Sequence, residues 1–233
     1  MQYVKIKDTI VEQIEAGMLA SRQKLPSERK LADSFSTTRV TLREALSLLE
    51  AEGRIYREDR RGWFISPEPL RYDPSQSLSF PDMAKAQNRI ARTELLSAQV
   101  ILANKQATAL LNLPPFSDVY QLNRVRYLEE RPVVYVTNYV RPELFNNLLD
   151  YDLTHSLTDI YREHFAVTYH KTGYRIAATI LLGEVAQALR ATVGTPAMLV
   201  ERTHYAENGE LIDCAIEYWR HDAISIGSVA ELV

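Results

Sequence analysis

The sequence predicts an α+β chain in two units, a helical head with a hairpin and a larger domain of mixed strands and helices. Three observations carry this. Three apolar-periodic segments and two short β-prone runs fall within residues 1–66, a proline-rich stretch covers residues 67–77, and six longer strand-like runs are spread over residues 78–233. The chain has 233 residues, 46% of them hydrophobic and 24% charged, an ordinary globular composition. At roughly 150 residues per domain, that length suits two modest domains. No apolar run approaches the ~18 residues of a membrane-spanning helix. The start, Met1 to Asp8, is too charged for a signal peptide,. A single cysteine, Cys214, excludes an internal disulfide and a cysteine-based zinc site,. A soluble, cytoplasmic protein is expected.

The head begins with Tyr3, Ile6, Ile10, Val11 and Ile14, spaced by three and four as on one helix face, and Gly17 suits the helix end. Ser27 is a natural N-cap for a second helix buried through Leu31, Ala32 and Phe35,. After the polar turn Ser36-Thr37, Thr38 caps a third helix running to about Glu52, with Val40, Leu42, Ala45, Leu46 and Leu49 as its apolar positions. Ile55-Tyr56-Arg57 and Trp63-Phe64-Ile65 then read as strands of a hairpin, with Gly62 free to take positive φ,. Helix, helix, turn, helix, hairpin is the order of a winged helix-turn-helix.

Pro67, Pro69 and Pro74 with small polar neighbours mark residues 67–77 as a linker,. Beyond it, β-branched and aromatic residues predict strands over 92–100, 119–129, 133–140, 171–180, 197–205 and 211–219,. Asn208-Gly209 forms the turn before the last of them. Helices are expected over 105–111, 142–149, 156–163 and 184–189.

The charge is uneven. Residues 22–65 hold ten Lys/Arg against seven Asp/Glu, and residues 75–233 hold fourteen against eighteen. A surplus of +3 is a weak argument for nucleic acid by itself; the positions of the arginines matter more. In a helix-turn-helix, the first residues of the second helix reach base edges. Thr38, Arg39, Thr41 and Arg43 hold that place. The Arg39 fork suits guanine, and the two threonine hydroxyls suit phosphates at a helix N-terminus. Arg29 is placed to hold the backbone. Arg60, Arg61 and Gly62 at the hairpin tip suit a minor groove. Arg43 beside Glu44 also reads as solvated surface charge.

Leu25-Pro26-Ser27-Glu28-Arg29-Lys30-Leu31-Ala32, Thr38 to Leu46 and Leu49 to Gly53 resemble the winged-helix domain of the bacterial GntR-family transcription regulators. Arg124-Val125-Arg126, Arg131-Pro132-Val133, Glu201-Arg202-Thr203, Asn208-Gly209 and Glu217 to Asp222 are similar to the UTRA effector domain of the HutC subfamily, whose α+β fold is like chorismate lyase, an antiparallel sheet with helices. Asp59 to Glu68, Leu70, Asp73 to Gln76 and Ile216 to Asp222 resemble, within that subfamily, regulators of phosphonate utilisation, with the nearest likeness to that of 2-aminoethylphosphonate breakdown. The resemblance implies a homodimer that binds palindromic half-sites of double-stranded DNA and responds to a small metabolite, usually by release of repression.

Arg124 and Arg126 lie two apart on a predicted strand and so share a face, where two guanidiniums repel unless an anion lies between them. A phosphonate fits that geometry, and Ser156 adds a hydroxyl at a helix start. The resemblance implies that these three hold the effector's acidic group, and that Ser77 and Ser79 belong to a loop closing over it. Asp213 and Glu217 suit an ammonium group, or pair with Arg220. Trp219 matches a ligand-lining aromatic, though an aromatic on a strand also reads as core. Val136 stands where sugar-phosphate sensors carry a glutamate, which favours a smaller ligand. The alternative for Arg124 and Arg126 is pairing with Glu129, Glu130 or Asp118.

No metal cluster or cofactor motif is legible. His155, His164 and His170 read as surface or loop residues. The rival class is a chorismate-lyase-like enzyme, which leaves the DNA-binding head without a purpose.

Overall fold

The computed structural model describes residues 1–76 and 78–229. In the head, α1 (Gln2–Glu15) buries Ile6 and Ile10. The helix α2 (Glu28–Ser34) starts where the Ser27 hydroxyl accepts the Lys30 N–H. The third, α3 (Arg39–Ala51), starts where Thr38 accepts the Thr41 N–H. Strands β1 (Ile55–Glu58) and β2 (Gly62–Ile65) pair antiparallel, Ile55 opposite Ile65. Ile6, Ile10, Leu31, Leu42, Leu46, Leu49, Ile55 and Ile65 form one core. Val40 is not in it. The residue is 69% exposed, because it falls on the outer side of the first turn of α3.

The proline-rich segment is not free chain. Its middle forms β3 (Leu70–Tyr72), which pairs in parallel with β10 (Ile224–Ile226). Leu70 and Tyr72 are buried while Arg71 between them is exposed, so an apolar alternation three residues long was hidden among prolines. An unexpected helix, α4 (Phe80–Ala86), follows, capped by Ser79, with Pro81 in its first turn. Proline is tolerated there because those N–H groups have no helical partner.

The larger domain is one six-stranded antiparallel sheet. Its strands are β4 (Ala91–Leu102), β5 (Asp118–Leu128), β6 (Arg131–Val140), β7 (Lys171–Ile180), β8 (Pro196–Tyr205) and β9 (Leu211–Arg220), in the order β4-β5-β6-β9-β8-β7. Helices α5 (Lys105–Leu111) and α7 (Gly183–Ala188) pack on the face bearing Cys214, Ile216 and Tyr218. The opposite face bears Asp213, Ala215, Glu217 and Trp219, and is covered by α4 and α6 (Leu157–Phe165). The helix expected over 142–149 is instead two 3-10 turns, Pro142–Leu144 and Leu148–Asp150. Asn147 between them is left-handed, at φ 60°, which breaks helical continuity.

Candidate operator interface and anion cavity

The candidate recognition surface is a consequence of α3's two-sidedness. Leu42, Ala45, Leu46 and Leu49 turn inward, which leaves Thr38, Arg39 and Arg43 exposed on one side and Thr41 half-buried. The hydroxyls of Thr38 and Thr41 lie 3.1 Å apart. Among the described residues, Arg39 and Arg29 have no hydrogen-bonding partner, so both forks are open. Arg43 is not simply solvated charge: its Nε donates to Glu28 at 2.8 Å, and Glu28 also accepts from Trp63 Nε1. This ties α3 to α2 and the hairpin. Burial pushes the Glu28 carboxyl up, but Arg43 and Trp63 outweigh it and hold it below its ordinary value.

At the hairpin tip, Arg60 is left-handed and 93% exposed. Gly62 takes φ 99°, a conformation that costs a side chain steric strain. Arg61 pairs with Glu58 and lies over Phe64, so Arg60 is the freer of the two.

In the larger domain, a cavity opens on the sheet face under α4 and the start of α6. It holds about 70 Å³ of water-accessible space, against ~10–15 Å³ for a single water, so it suits a small ligand. Arg124, Arg126 and Ser156 line it, as do Ser79, Glu217 and Trp219. Ser77 lies outside the described residues. Ser79 and Ser156 both act as helix N-caps.

Neither arginine pairs with Glu129, Glu130 or Asp118. Arg124 donates to Asn138 Oδ1 at 2.8 Å and to the carbonyls of Leu153 and His155, while its Nε has no partner among the described residues. Arg126 lies 3.5 Å from Glu217 and over the Phe80 ring, with no hydrogen bond among the described residues. Burial lowers the Arg124 pKa and, helped by repulsion from Arg124 and Arg202, pulls Arg126 down to about 9 against the pull of Glu217.

Arg202 is a site residue to which the motif Glu201-Arg202-Thr203 assigns no role by itself. It pairs with Glu217, also lines the cavity, and leaves its Nε unpartnered. Among the described residues, the cavity therefore gathers three guanidiniums, and Glu217 is the one carboxylate in its lining. Alternation was the available signal: Arg202 and His204 share a face of β8 as Arg124 and Arg126 share one of β5.

Two expectations are corrected. Glu217 and Asp213 do not pair with Arg220, which stands an odd number of residues from both and points the other way. Nor does Asp213 line the cavity: fully buried, it accepts from Tyr161, Tyr169 and His204 behind the floor. Burial raises its carboxyl, but His204 and the two tyrosines hold it below its ordinary value. Trp219 is buried in the core, lines the cavity, and donates to Glu217 Oε2 at 2.8 Å. Val136, in register with Arg124 and Glu217, brings no charge between them. Among the described residues, no group of three or more His, Cys, Asp or Glu is placed to hold a metal ion.

A three-helix head with an open arginine-bearing helix and hairpin, joined to a domain enclosing a cationic cavity, defines an effector-responsive DNA-binding regulator. The chain belongs to the GntR family of bacterial regulatory proteins, matched over residues 2–65, in the group carrying a UTRA domain, matched over residues 86–225. It is 28% identical over 221 residues to the uncharacterized HTH-type transcriptional regulator YihL of Escherichia coli, covering 94% of each chain. It is 27% identical over 220 residues to the HTH-type transcriptional repressor NagR of Bacillus subtilis, covering 94% of this chain and 90% of NagR. In structure it is similar to PhnF from Mycobacterium smegmatis, with a TM-score of 0.68 at 22% identity over 97% of this chain and 99% of PhnF. No helix among the described residues is long and apolar enough to cross a membrane.

Proposed function

We propose that this regulator is a cytoplasmic repressor that binds a palindromic operator as a homodimer and is released by a small organic phosphonate, 2-aminoethylphosphonate or a related intermediate. One observation carries the effector class: Arg124, Arg126 and Arg202 converge on a small cavity whose lining has a single carboxylate among the described residues. A dianionic head group balances the surplus, and its oxygens accept the donors Arg126 leaves open. Glu217 beside them is placed for the ammonium of an aminoalkylphosphonate. The absence of charge at Val136 and the cavity's size favour a compact ligand over a sugar phosphate.

On the DNA side, Arg39 reads a base, Thr38, Thr41, Arg43 and Arg29 hold phosphates, and Arg60, Arg61 and Gly62 enter the minor groove. The outer strands β4 and β7 are long and leave Leu96, Val100, Ile176 and Ile180 exposed. Such edges invite pairing with a second copy. No cofactor or metal enters the reading, and the relatives' descriptions as regulators and repressors favour it over an enzyme.

A melting-shift panel of 2-aminoethylphosphonate, inorganic phosphate, a sugar phosphate and an imidazole-pathway acid tests the effector class, because a ligand raises the melting point by mass action. The phosphonate should shift it most and should release the protein from a duplex selected from random DNA. A shift from the sugar phosphate alone, or turnover of the phosphonate, would refute the reading.

A further inference from the structure

The segment Arg220-His221-Asp222 follows the cavity residues Glu217 and Trp219 directly along the chain, yet none of its side chains enters the cavity. All three turn to the head. Arg220, 1% exposed, donates to the carbonyl of Leu189 in its own domain and to that of Arg57 on β1, each at 2.9 Å. His221 has one ring nitrogen 3.0 Å from the Pro196 carbonyl and the other 2.6 Å from the Glu50 carbonyl near the end of α3. The Glu50 carbonyl accepts the Gly53 N–H at 2.9 Å; at the negative end of the helix dipole, its second lone pair suits a further N–H donor. Asp222, buried, pairs with Arg131 at 2.6 Å and accepts the Ser66 hydroxyl at 2.9 Å.

The approach is close. Gly53, just past α3, is left-handed at φ 70°, and a Cβ there would come within 3.4 Å of the Asp222 Cβ. Arg131 lies 3.5 Å over the Tyr56 ring, and the Asp59 N–H at the hairpin tip donates to the Arg190 carbonyl at 2.8 Å. Ser66 begins the segment leading to β3, where Tyr72 lines the cavity. The contact is therefore tied to the cavity on both sides, through Trp219 and through Tyr72.

We infer that Arg220, His221 and Asp222, with Arg131, are positioning residues for operator binding, a joint that clamps the end of α3 and the base of the hairpin at a fixed orientation and carries effector occupancy to them along β9. The inference rests on the chain being an effector-controlled operator binder. A ligand acts only through unequal affinity for two states; a ligand drawing on Glu217 and Trp219 moves the strand whose next three residues hold the head. A head freed from the joint must be ordered anew on DNA, at a loss of affinity.

The test uses the full chain as wild type and as His221→Ala, Asp222→Asn and Ser66→Ala, with a duplex selected by the wild type. His221→Ala and Asp222→Asn should weaken duplex affinity about tenfold without any ligand. They should also speed amide exchange over residues 50–57 while β5 and β6 keep wild-type protection. Where 2-aminoethylphosphonate shifts wild-type duplex affinity, the shift should shrink to less than twofold in these variants, and the phosphonate should bind free and duplex-bound variant equally, as linkage requires. Affinity within twofold of wild type with unchanged exchange over 50–57 overturns the joint. If Asp222→Asn loses protection throughout, His221→Ala and Ser66→Ala decide. Failure of every anion to shift the wild type counts against the effector reading alone, since the ligand-free affinity and exchange still judge the joint.

Discussion

Glu217 stands between Arg126 and Arg202, 3.5 Å from the first and in direct ion contact with the second. The Glu217 carboxylate is buried and the two arginine side chains are 12% and 16% exposed, and Trp219 Nε1 donates to the other carboxylate oxygen. Burial pushes the Glu217 carboxyl up, but Arg202 and Arg126 outweigh it and hold it below its ordinary value. This one acid cancels one of three positive charges, so the cavity is preset for an anion without being driven apart in its absence.

Glu217→Gln should therefore expose that balance. Removing one partner of a buried pair costs about 3 kcal/mol, which for a chain this size lowers the melting point by roughly 6–12 °C. Inorganic phosphate should then restore more stability to the variant than it adds to the wild type. Equal increments in thermal melts would show that the anion does not settle against these arginines.

Arg126→Met should remove the open donors at a smaller cost in melting point than Glu217→Gln, since Glu217 keeps its closer partner Arg202 and no hydrogen bond among the described residues depends on Arg126. Titration calorimetry should find phosphonate affinity reduced at least about tenfold, with duplex binding intact. Arg124→Ala should lose the effector too, but less cleanly. It strands Asn138 Oδ1 and two carbonyls, each at about 1–3 kcal/mol, so a drop in melting point should accompany it.

On the head, Arg39→Ala should cost roughly tenfold to a hundredfold at one operator position and leave other sequences bound equally well. Arg60→Ala should instead weaken all sequences alike and reduce the slope of log affinity against log salt by about 1. Val40, exposed beside Arg39, adds apolar surface to the proposed reading face. A base preference unchanged in binding-site selection with Arg39→Ala would remove α3 from the reading role.

The acid limb of stability follows from Asp213, Glu217 and Asp222. Burial raises each carboxyl, yet their cationic and hydrogen-bonding partners hold all three below ordinary values. A carboxylate with a depressed folded pKa contributes stability above its unfolded value, near 4, and loses it as pH falls through the folded value. Glu50, raised by burial, works oppositely, its cost easing as pH drops toward that range. The melting point should hold from pH 7 to 5 and fall steeply below about pH 4. Cooperative unfolding already complete at pH 5 would contradict the burial of these pairs.

Local rules made most of the head legible. Caps at Ser27 and Thr38, a 3.6-residue apolar period and a glycine at φ 99° are decided by neighbours a few residues away, and so is the shared face of Arg124 and Arg126. The short elements β3 and α4 escaped because three and seven residues give too little periodicity to outweigh their prolines.

What only the folded chain decided was long-range. β9 inserts between β6 and β8, which brings Glu217 to Arg126 and Arg202 and sets Asp213 against His204, while packing of the head on the larger domain brings Arg220, His221 and Asp222 to the foot of α3. Alternation along a strand tells which face a side chain takes; it carries no information about which strand lies alongside. That choice belongs to packing of the whole sheet, and both the cavity's charge and its path to the DNA-binding head depend on it.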